Sequence, residues 1–216
     1  QWGKVLNGAL VSLTPGQKAA LEKRDNVKSV SPDSVVEASD TQNSAPWGLD
    51  MIDNQTPTTD TTFNFTDTGL GVTVFVVDTG IYPSSNQFTG RLATFGYSAF
   101  KGGNGFVDCN GHGTHVASTI AGSTFGVAKS AILVPVRVLG CNGSGAISNI
   151  IGGLDFIASQ GNQYSVVNMS LGGGQNAALD EAVRNLIKVS GVTVVVAAGN
   201  SSADACNSSP AGVTEA

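Results

Sequence analysis

The sequence predicts an α/β fold with a mostly parallel β-sheet and flanking helices. Four apolar runs rich in β-branched residues follow residue 71, and each is as long as a typical strand. Continuous apolar runs of this kind are typical of strands that are buried on both faces. Helical patterns separate the runs, and strands that alternate with helices form βαβ units with parallel strands.

The elements of this fold follow one another in a regular order. The predicted strands are 72–78, 131–139, 165–171 and 192–200, and the predicted helices between them are 112–122, 148–159 and 176–189. In open parallel sheets, ligands bind beyond the carboxyl ends of the strands. A functional site is therefore expected at the residues that close these strands.

The start of the chain predicts a small α+β module. Residues 4–13 are typical of a strand, and a second short strand is predicted over 26–33. Between them a helix is predicted, with Thr14 as its N-cap and Pro15 in its first position.

Composition supports a compact main domain and argues against two classes of partner. Residues 34–46 are polar and indicate a linker, so we predict domains at 1–40 and 41–216. The net charge of −5 argues against nucleic acid as a partner. No apolar run reaches the roughly 18 to 20 residues of a membrane helix. Because the chain begins with Gln1 and shows no signal peptide, we expect a window of a longer precursor.

Polar side chains stand at the ends of three predicted strands. Asp78 closes the first strand in VFVVDTG, Ser170 begins SLGGG at the end of the third, and Asn200 closes the fourth. His112 begins the predicted helix 112–122. One rim of the sheet is therefore predicted to bring together a carboxylate, an imidazole and an amide.

Each of these residues also has an alternative explanation. An Asp or Asn at a strand end is often a turn residue. The DTG sequence at Asp78 also occurs in aspartic proteases, but those need two such carboxylates, so this alternative requires a homodimer. His112 and His115 share a helix face and are alternative metal ligands, although no H-E-x-x-H pattern accompanies them.

Taken together, the residues favour acyl transfer. An Asp that accepts from the Nδ1–H of a His fixes its tautomer and leaves the other nitrogen free to take a proton from a nucleophile. An Asn side chain is a good donor to a developing oxyanion, and loss of such a donor costs about 3–4 kcal/mol in the transition state. Asp78, His112 and Asn200 are the candidates for these roles.

Five ordered motifs resemble the subtilisin-like serine proteases, and most of all their proteinase K branch. They are VVDTG, GHGTHVAS, VPVRVLGCNGSG, NMSLGGG and VVAAGN. The resemblance implies a three-layer fold and hydrolysis of peptide bonds with a broad, apolar preference. Asp78 would orient the imidazole, His112 would be the general base and Asn200 would donate to the oxyanion. His115 would be packed rather than catalytic.

The resemblance also implies a substrate-binding cleft in which a peptide is added as a strand. The implied residues are Gly143, Ser144, Gly145, Ser170, Leu171 and Gly172 along two edge segments, with Ala198 and Gly199 in the primary specificity pocket. Residues 1–40 resemble the C-terminal part of the family's propeptide, which would inhibit the enzyme intramolecularly until it is removed.

One family motif has no match in this chain. The nucleophilic serine of the family lies in a Gly-Thr-Ser-Met-Ala segment well beyond the oxyanion Asn, and the chain stops at Ala216. We therefore expect the chain to be C-terminally truncated and inactive alone. The alternative is a chain that ends naturally at Ala216 and is a catalytically dead peptide-binding or protease-inhibitory protein.

A structural calcium ion is a further implication. Asp50, Asp53 and Asp60 lie in a short stretch where several relatives bind calcium, and oxygen ligands in a flexible loop suit Ca²⁺. The alternative is a solvated acidic loop. No catalytic cofactor is expected.

The cysteines and the family's habitat complete the expectations. The resemblance implies a disulfide between Cys109 and Cys141, and a partner for Cys206 further along the protein. It implies a secreted, extracellular monomer that acts on protein or peptide substrates. No nucleic acid and no membrane is expected as a partner.

Overall fold

The computed structural model describes residues 8–32, 40–54, 56 and 58–216. The chain divides into two compact units, Gln1–Ala38 and Ser39–Ala216. All residues of the predicted site lie in the second unit.

The first unit contains the helix α1 (Pro15–Glu22). Thr14 Oγ1 accepts from the backbone N–H of Gln17 at 3.3 Å, and Gln17 Oε1 accepts from the N–H of Thr14 at 2.8 Å. This reciprocal pair is a capping box, which satisfies two backbone donors at the helix start. The predicted start of the helix is confirmed.

The two short strands predicted for this unit are wrong over the described residues. Gly8 forms only a single β-bridge, Asn26 lies in a turn, and residues 9–13 and 27–32 form neither helix nor strand. A short strand is stable only when it is paired with others, and local apolar character does not supply the partner. The remaining residues of these predictions, 4–7 and 33, lie outside the described part of the chain.

The second unit contains the elements predicted from the apolar and helical patterns. Its strands are β1 (Asp40–Asn43), β2 (Thr62–Phe65), β3 (Thr73–Asp78), β4 (Tyr97–Ser98), β5 (Ile132–Arg137), β6 (Ser165–Met169), β7 (Gly173–Gly174), β8 (Thr193–Val196) and β9 (Ser208–Ser209). Its helices are α2 (Trp47–Asp50), α3 (His112–Ala121), α4 (Ile147–Gln160) and α5 (Ala177–Ser190). β1 falls inside the predicted linker 34–46, so that prediction is wrong at residues 40–43.

A five-stranded sheet forms the centre of the second unit. Its strand order is β4-β5-β3-β6-β8, and every neighbouring pair is parallel. The predicted mostly parallel sheet is confirmed. Two small antiparallel pairs, β1 with β2 and β7 with β9, lie outside it.

Helices cover both faces of this sheet. Successive side chains of a strand point to opposite faces. Phe75 and Val77 of β3 are buried in a core with residues of α4 and α5. Val74 and Val76 are buried in a second core with residues of α3. The unit therefore has the three layers that the resemblance implies, and the central strand β3 is buried on both sides.

The longest helices, α4 and α5, have 14 residues each. At 1.5 Å per residue such a helix is about 21 Å long, shorter than the roughly 30 Å hydrocarbon core of a bilayer. Among the described residues, no helix is long and apolar enough to cross a membrane.

Candidate active site

Asp78 is the last residue of β3, the central strand of the sheet. Its side chain is fully buried. β3 and β5 run in parallel register, so Asp78 lies opposite Arg137 at the carboxyl edge of the sheet. A buried carboxylate is costly unless hydrogen bonds satisfy it. One comes from the backbone N–H of Thr79, which donates to Asp78 Oδ1 at 2.6 Å.

Glycines on each side of His112 bring helix α3 close to this carboxylate. Gly111 is the N-cap of α3 and has φ +99°, a left-handed conformation that favours glycine. A Cβ on Gly113 would lie 2.3 Å from the carbonyl oxygen of Gly80 and 3.1 Å from Asp78 Oδ1. Only glycine at this position permits the observed approach of α3 to the strand end.

The imidazole of His112 makes a close pair with Asp78. Nδ1 lies 2.8 Å from Oδ1 and 2.9 Å from Oδ2 of the carboxylate. The His112 side chain is 51% exposed, whereas that of Asp78 is 0% exposed. Nε2 makes no hydrogen bond with the described residues. The ring therefore has one nitrogen held by a buried carboxylate and the other available for proton transfer.

A cavity of about 390 Å³ lies beside His112. All six residues predicted for the two substrate-binding edges line it, namely Gly143, Ser144, Gly145, Ser170, Leu171 and Gly172. Apolar side chains complete its walls: Leu139, Ile147, Ile150 and Leu179. The arrangement combines exposed backbone edges with an apolar lining, which suits an extended peptide.

The residues after β8 lie outside this cavity lining. Ala198, Gly199 and Asn200 are exposed and belong to an irregular segment that follows Val196. β8 is parallel to β6, so this segment leaves the sheet at the same edge as Ser170. No hydrogen bond of the Asn200 side chain to another described residue is present.

His115 is exposed on α3, so the prediction that it is packed is wrong. The buried residues of this helix are Gly113, Ala117 and Ala121. His115 lies two residues from the first of these and falls away from the buried face.

A disulfide joins Cys109 to Cys141, so the predicted pairing is confirmed. It links the loop before α3 to the segment that contains Gly143. Arg137 is nearly buried, and its Nη2 donates to Cys109 Sγ at 3.3 Å. Its guanidinium lies 4.8 Å from the ring centroid of Phe100. The two halves of the cavity rim are thus covalently connected beside a buried cation.

The three acidic residues predicted to bind calcium are used differently. The carboxylate of the buried Asp50 accepts from the backbone N–H groups of Asp60 at 3.0 Å and Thr61 at 2.8 Å. Asp53 Oδ2 accepts from the backbone N–H of Asn64 at 2.7 Å. Within the described ranges, no group of three His, Cys, Asp or Glu side chains could hold a metal ion. In the described part of the chain these carboxylates are therefore not arranged as a group of metal ligands.

Sequence reasoning missed several residues around His112. Thr79 and Asn110 line the cavity. Asp108 accepts hydrogen bonds from the loop and the first turn of α3. The Asp-x-x-Gly spacing of residues 108–111 indicates that the Asp108 side chain accepts hydrogen bonds from nearby backbone N–H groups. The spacing does not indicate that Asp108 also bonds to Thr79 at the end of β3.

Asp78 and His112 thus form a paired carboxylate and imidazole, one fully buried and one half exposed, at the carboxyl edge of a parallel sheet. A model described as the Subtilase family matches residues 69–216. The chain belongs to that family, and the predicted resemblance is confirmed.

Characterised relatives are similar over nearly the whole chain. The "Extracellular serine proteinase" of Thermus sp. (strain Rt41A) is 51% identical over 211 residues, which are 98% of this chain and 51% of that protein. The "Alkaline serine exoprotease A" of Vibrio alginolyticus is 45% identical over 216 residues, which are 96% of this chain and 40% of that protein. The chain thus spans about half the length of the curated relatives it matches.

A solved structure shows the same fold. The crystal structure of a cold adapted subtilisin-like serine proteinase aligns with a TM-score of 0.75 at 50% identity, covering 79% of this chain and 62% of that one.

Proposed function

We propose that the protein containing this chain is a secreted serine endopeptidase that acts as a monomer on protein and peptide substrates. The observation that carries the proposal is the contact of His112 Nδ1 with the fully buried carboxylate of Asp78, at 2.8 and 2.9 Å. Family membership supports the reaction class. The extracellular name of one relative and the Cys109–Cys141 disulfide support secretion, because disulfides persist in oxidising compartments.

In the proposed mechanism, Asp78 accepts from Nδ1–H of His112 and stabilises the imidazolium. Nε2 takes the proton of a serine hydroxyl as that oxygen attacks the scissile carbonyl, and then returns it to the leaving amine. We assign the nucleophile to a serine in a part of the protein that follows residue 216. Asn200 would donate to the oxyanion, a role that is worth about 3–4 kcal/mol in related sites.

The cavity beside His112 supports a peptide substrate. The segments Gly143–Gly145 and Ser170–Gly172 present backbone along two of its edges. A peptide added between them would form main-chain hydrogen bonds with both segments. Alternate side chains of the peptide would then pack against the walls of the cavity. The apolar lining favours apolar side chains there, and Ala198 and Gly199 remain our proposal for the primary specificity pocket.

Replacing His112 by Ala tests the proposed reaction. Without its general base, the full-length protein should lose roughly a million-fold in kcat on a chromogenic peptide. Its circular dichroism spectrum should stay unchanged, because the His112 ring is half exposed. His115→Ala is the matched control, since this His lies exposed on the same helix. Hydrolysis by His112→Ala at the wild-type rate would refute the proposal.

We further propose that residues 1–40 are the C-terminal part of an inhibitory propeptide. Support comes from the compact unit Gln1–Ala38 and from relatives whose similarity extends through it, although the family model begins at residue 69. Adding the 1–40 polypeptide at micromolar concentration to the processed enzyme should slow hydrolysis and raise the apparent KM. Unchanged rates would contradict this assignment.

Calcium binding at Asp50, Asp53 and Asp60 stays a prediction. Subtilases commonly bind structural calcium, but the described carboxylates are not grouped around one point. The proposed mechanism uses no step that depends on this ion.

A further inference from the structure

Asp108 lies in the loop that precedes α3 and accepts five hydrogen bonds. Its Oδ1 accepts from the backbone N–H groups of Asn110 at 3.1 Å and Gly111 at 2.8 Å. Its Oδ2 accepts from the N–H of Thr114 at 2.9 Å and from the hydroxyl of the same residue. The hydroxyl of Thr79 donates to Oδ1 at 2.8 Å. The carboxylate therefore holds the loop, the first turn of α3 and the end of β3 together.

Thr79 connects Asp108 to the Asp78–His112 pair. Its hydroxyl has a single hydrogen, which it donates to Asp108, so it accepts from the backbone N–H of Gly113 at 2.9 Å. Its own backbone N–H donates to Asp78 Oδ1 at 2.6 Å. A continuous series of hydrogen bonds thus runs from Asp78 through Thr79 to both Asp108 and the residue that follows His112.

The charge of Asp108 suits this role. Burial raises its pKa, but hydrogen bonds from the Thr114 hydroxyl, the amides of Gly111 and Thr114 and the Thr79 hydroxyl outweigh burial and hold the pKa below its usual value. An ionised carboxylate only accepts hydrogen bonds, and all five partners are donors. An Asn side chain would have one acceptor atom, and its NH₂ group would face donors.

The position of the His112 ring depends on this loop. The backbone N–H of His112 donates to Asn110 Oδ1 at 3.2 Å, and Asn110 is itself held by Asp108. A shift of the loop would therefore change the separation of His112 Nδ1 from the Asp78 carboxylate. Displacements of about 1 Å at a reacting centre can cost on the order of 100-fold in rate.

We propose that Asp108 is a positioning residue for the hydrolysis, which fixes the distance between His112 and Asp78 through Thr79 and the first turn of α3. The inference rests on the proposed function, because it deepens the role of the same pair. The Asp108 carboxylate makes no hydrogen bond with the described imidazole atoms of His112, so its effect reaches the reaction through the position of His112.

The first experiment is Asp108→Asn in the full-length protein. We expect kcat to fall by roughly 10- to 100-fold while KM changes little, because geometry rather than substrate binding is lost. The downfield proton resonance of His112 Nδ1–H should move upfield and exchange faster with solvent. Asp155→Asn is the matched control, since Asp155 is exposed on α4 and has no side-chain hydrogen bond to the described residues. It should leave kcat and the resonance unchanged.

A second variant separates positioning from general destabilisation. Thr79→Val keeps the branched shape but removes the hydroxyl that joins Asp108 to Gly113. We expect Thr79→Val to lower kcat and to move the His112 Nδ1–H resonance upfield, as Asp108→Asn does. In the double variant the two losses should be less than additive, because both remove one connected path. If Asp108→Asn does not fold, Thr79→Val decides alone through the same two measurements.

Two outcomes would overturn the inference. One such outcome is that Asp108→Asn or Thr79→Val leaves both the Nδ1–H resonance and kcat unchanged. The other is that the losses of kcat in the double variant are fully additive. Failure of the proposed function has a different signature, because wild-type protein would then lack peptide hydrolysis. The resonance would still report on the Asp78–His112 pair in that case, so the two failures are distinguishable.

Discussion

The contact between α3 and β3 depends on a single missing methyl group. At Gly113 a Cβ would lie 2.3 Å from the carbonyl oxygen of Gly80, a backbone atom that cannot rotate away. Gly113→Ala should therefore push α3 outward, lower the free energy of unfolding by about 1–3 kcal/mol and reduce kcat. Urea denaturation and peptide hydrolysis measure the two effects.

Gly48→Ala is the control for this substitution. A Cβ on Gly48, in α2, would have no atom within 4 Å, and Ala favours helix by up to about 1 kcal/mol. The variant should unfold at the same or a slightly higher urea concentration. Equal midpoints and equal activities for the two Ala variants would show that the close approach at Gly113 does not matter.

At the same scale, site residues could be predicted from the sequence where their own side chains carry the chemistry. Site residues that act by binding backbone N–H groups could not be predicted. Asp78 and His112 stand out because a carboxylate and an imidazole follow apolar strand and glycine patterns. Asp108 does not, because its partners are mostly amides that its own loop provides only after folding. The link through Thr79 requires β3 and the loop to meet, which spacing along the chain does not reveal.

At the scale of elements, the helices and strands with a regular hydrophobic pattern were the ones that could be predicted from the sequence. The helices α3, α4 and α5 were predicted to within one residue at each end, since each has a clear apolar face and α3 and α5 also have a glycine or cap signal. The central strands were predicted because burial on both faces makes them continuously apolar.

The short strands escaped prediction because distant partners stabilise them. The polar segment DTQN of β1 pairs with β2, where Thr41 Oγ1 donates to Asn64 Oδ1 at 2.8 Å. Phe63 and Phe65 stack beside the strand pair, and the ammonium of Lys129 lies 5.5 Å from the centroid of the Phe63 ring. None of these contacts is local, so the sequence of residues 40–43 indicated only a linker.

At the scale of the whole molecule, the disulfide acts on the unfolded chain as well as on the cavity rim. Cys109 and Cys141 are 32 residues apart, so their bond removes loop entropy that the reduced chain would have. The loop-entropy estimate for this separation is about 3–4 kcal/mol at 25 °C. The Cys109→Ala/Cys141→Ala variant should lose that much free energy of unfolding. The measurement is urea denaturation at neutral pH.

The slope of the same titration identifies the cause. If the bond acts through the unfolded state, the variant should show a larger m-value, because an unlinked chain exposes more surface when it unfolds. Asn185→Ala is the control, because Asn185 is exposed on α5. This variant should change the free energy of unfolding by no more than about 0.5 kcal/mol and should leave the m-value unchanged. A loss below about 1 kcal/mol with an unchanged slope would contradict the entropic account. The disulfide would then stabilise only the folded state, at the cavity rim where Arg137 Nη2 donates to both sulfur atoms.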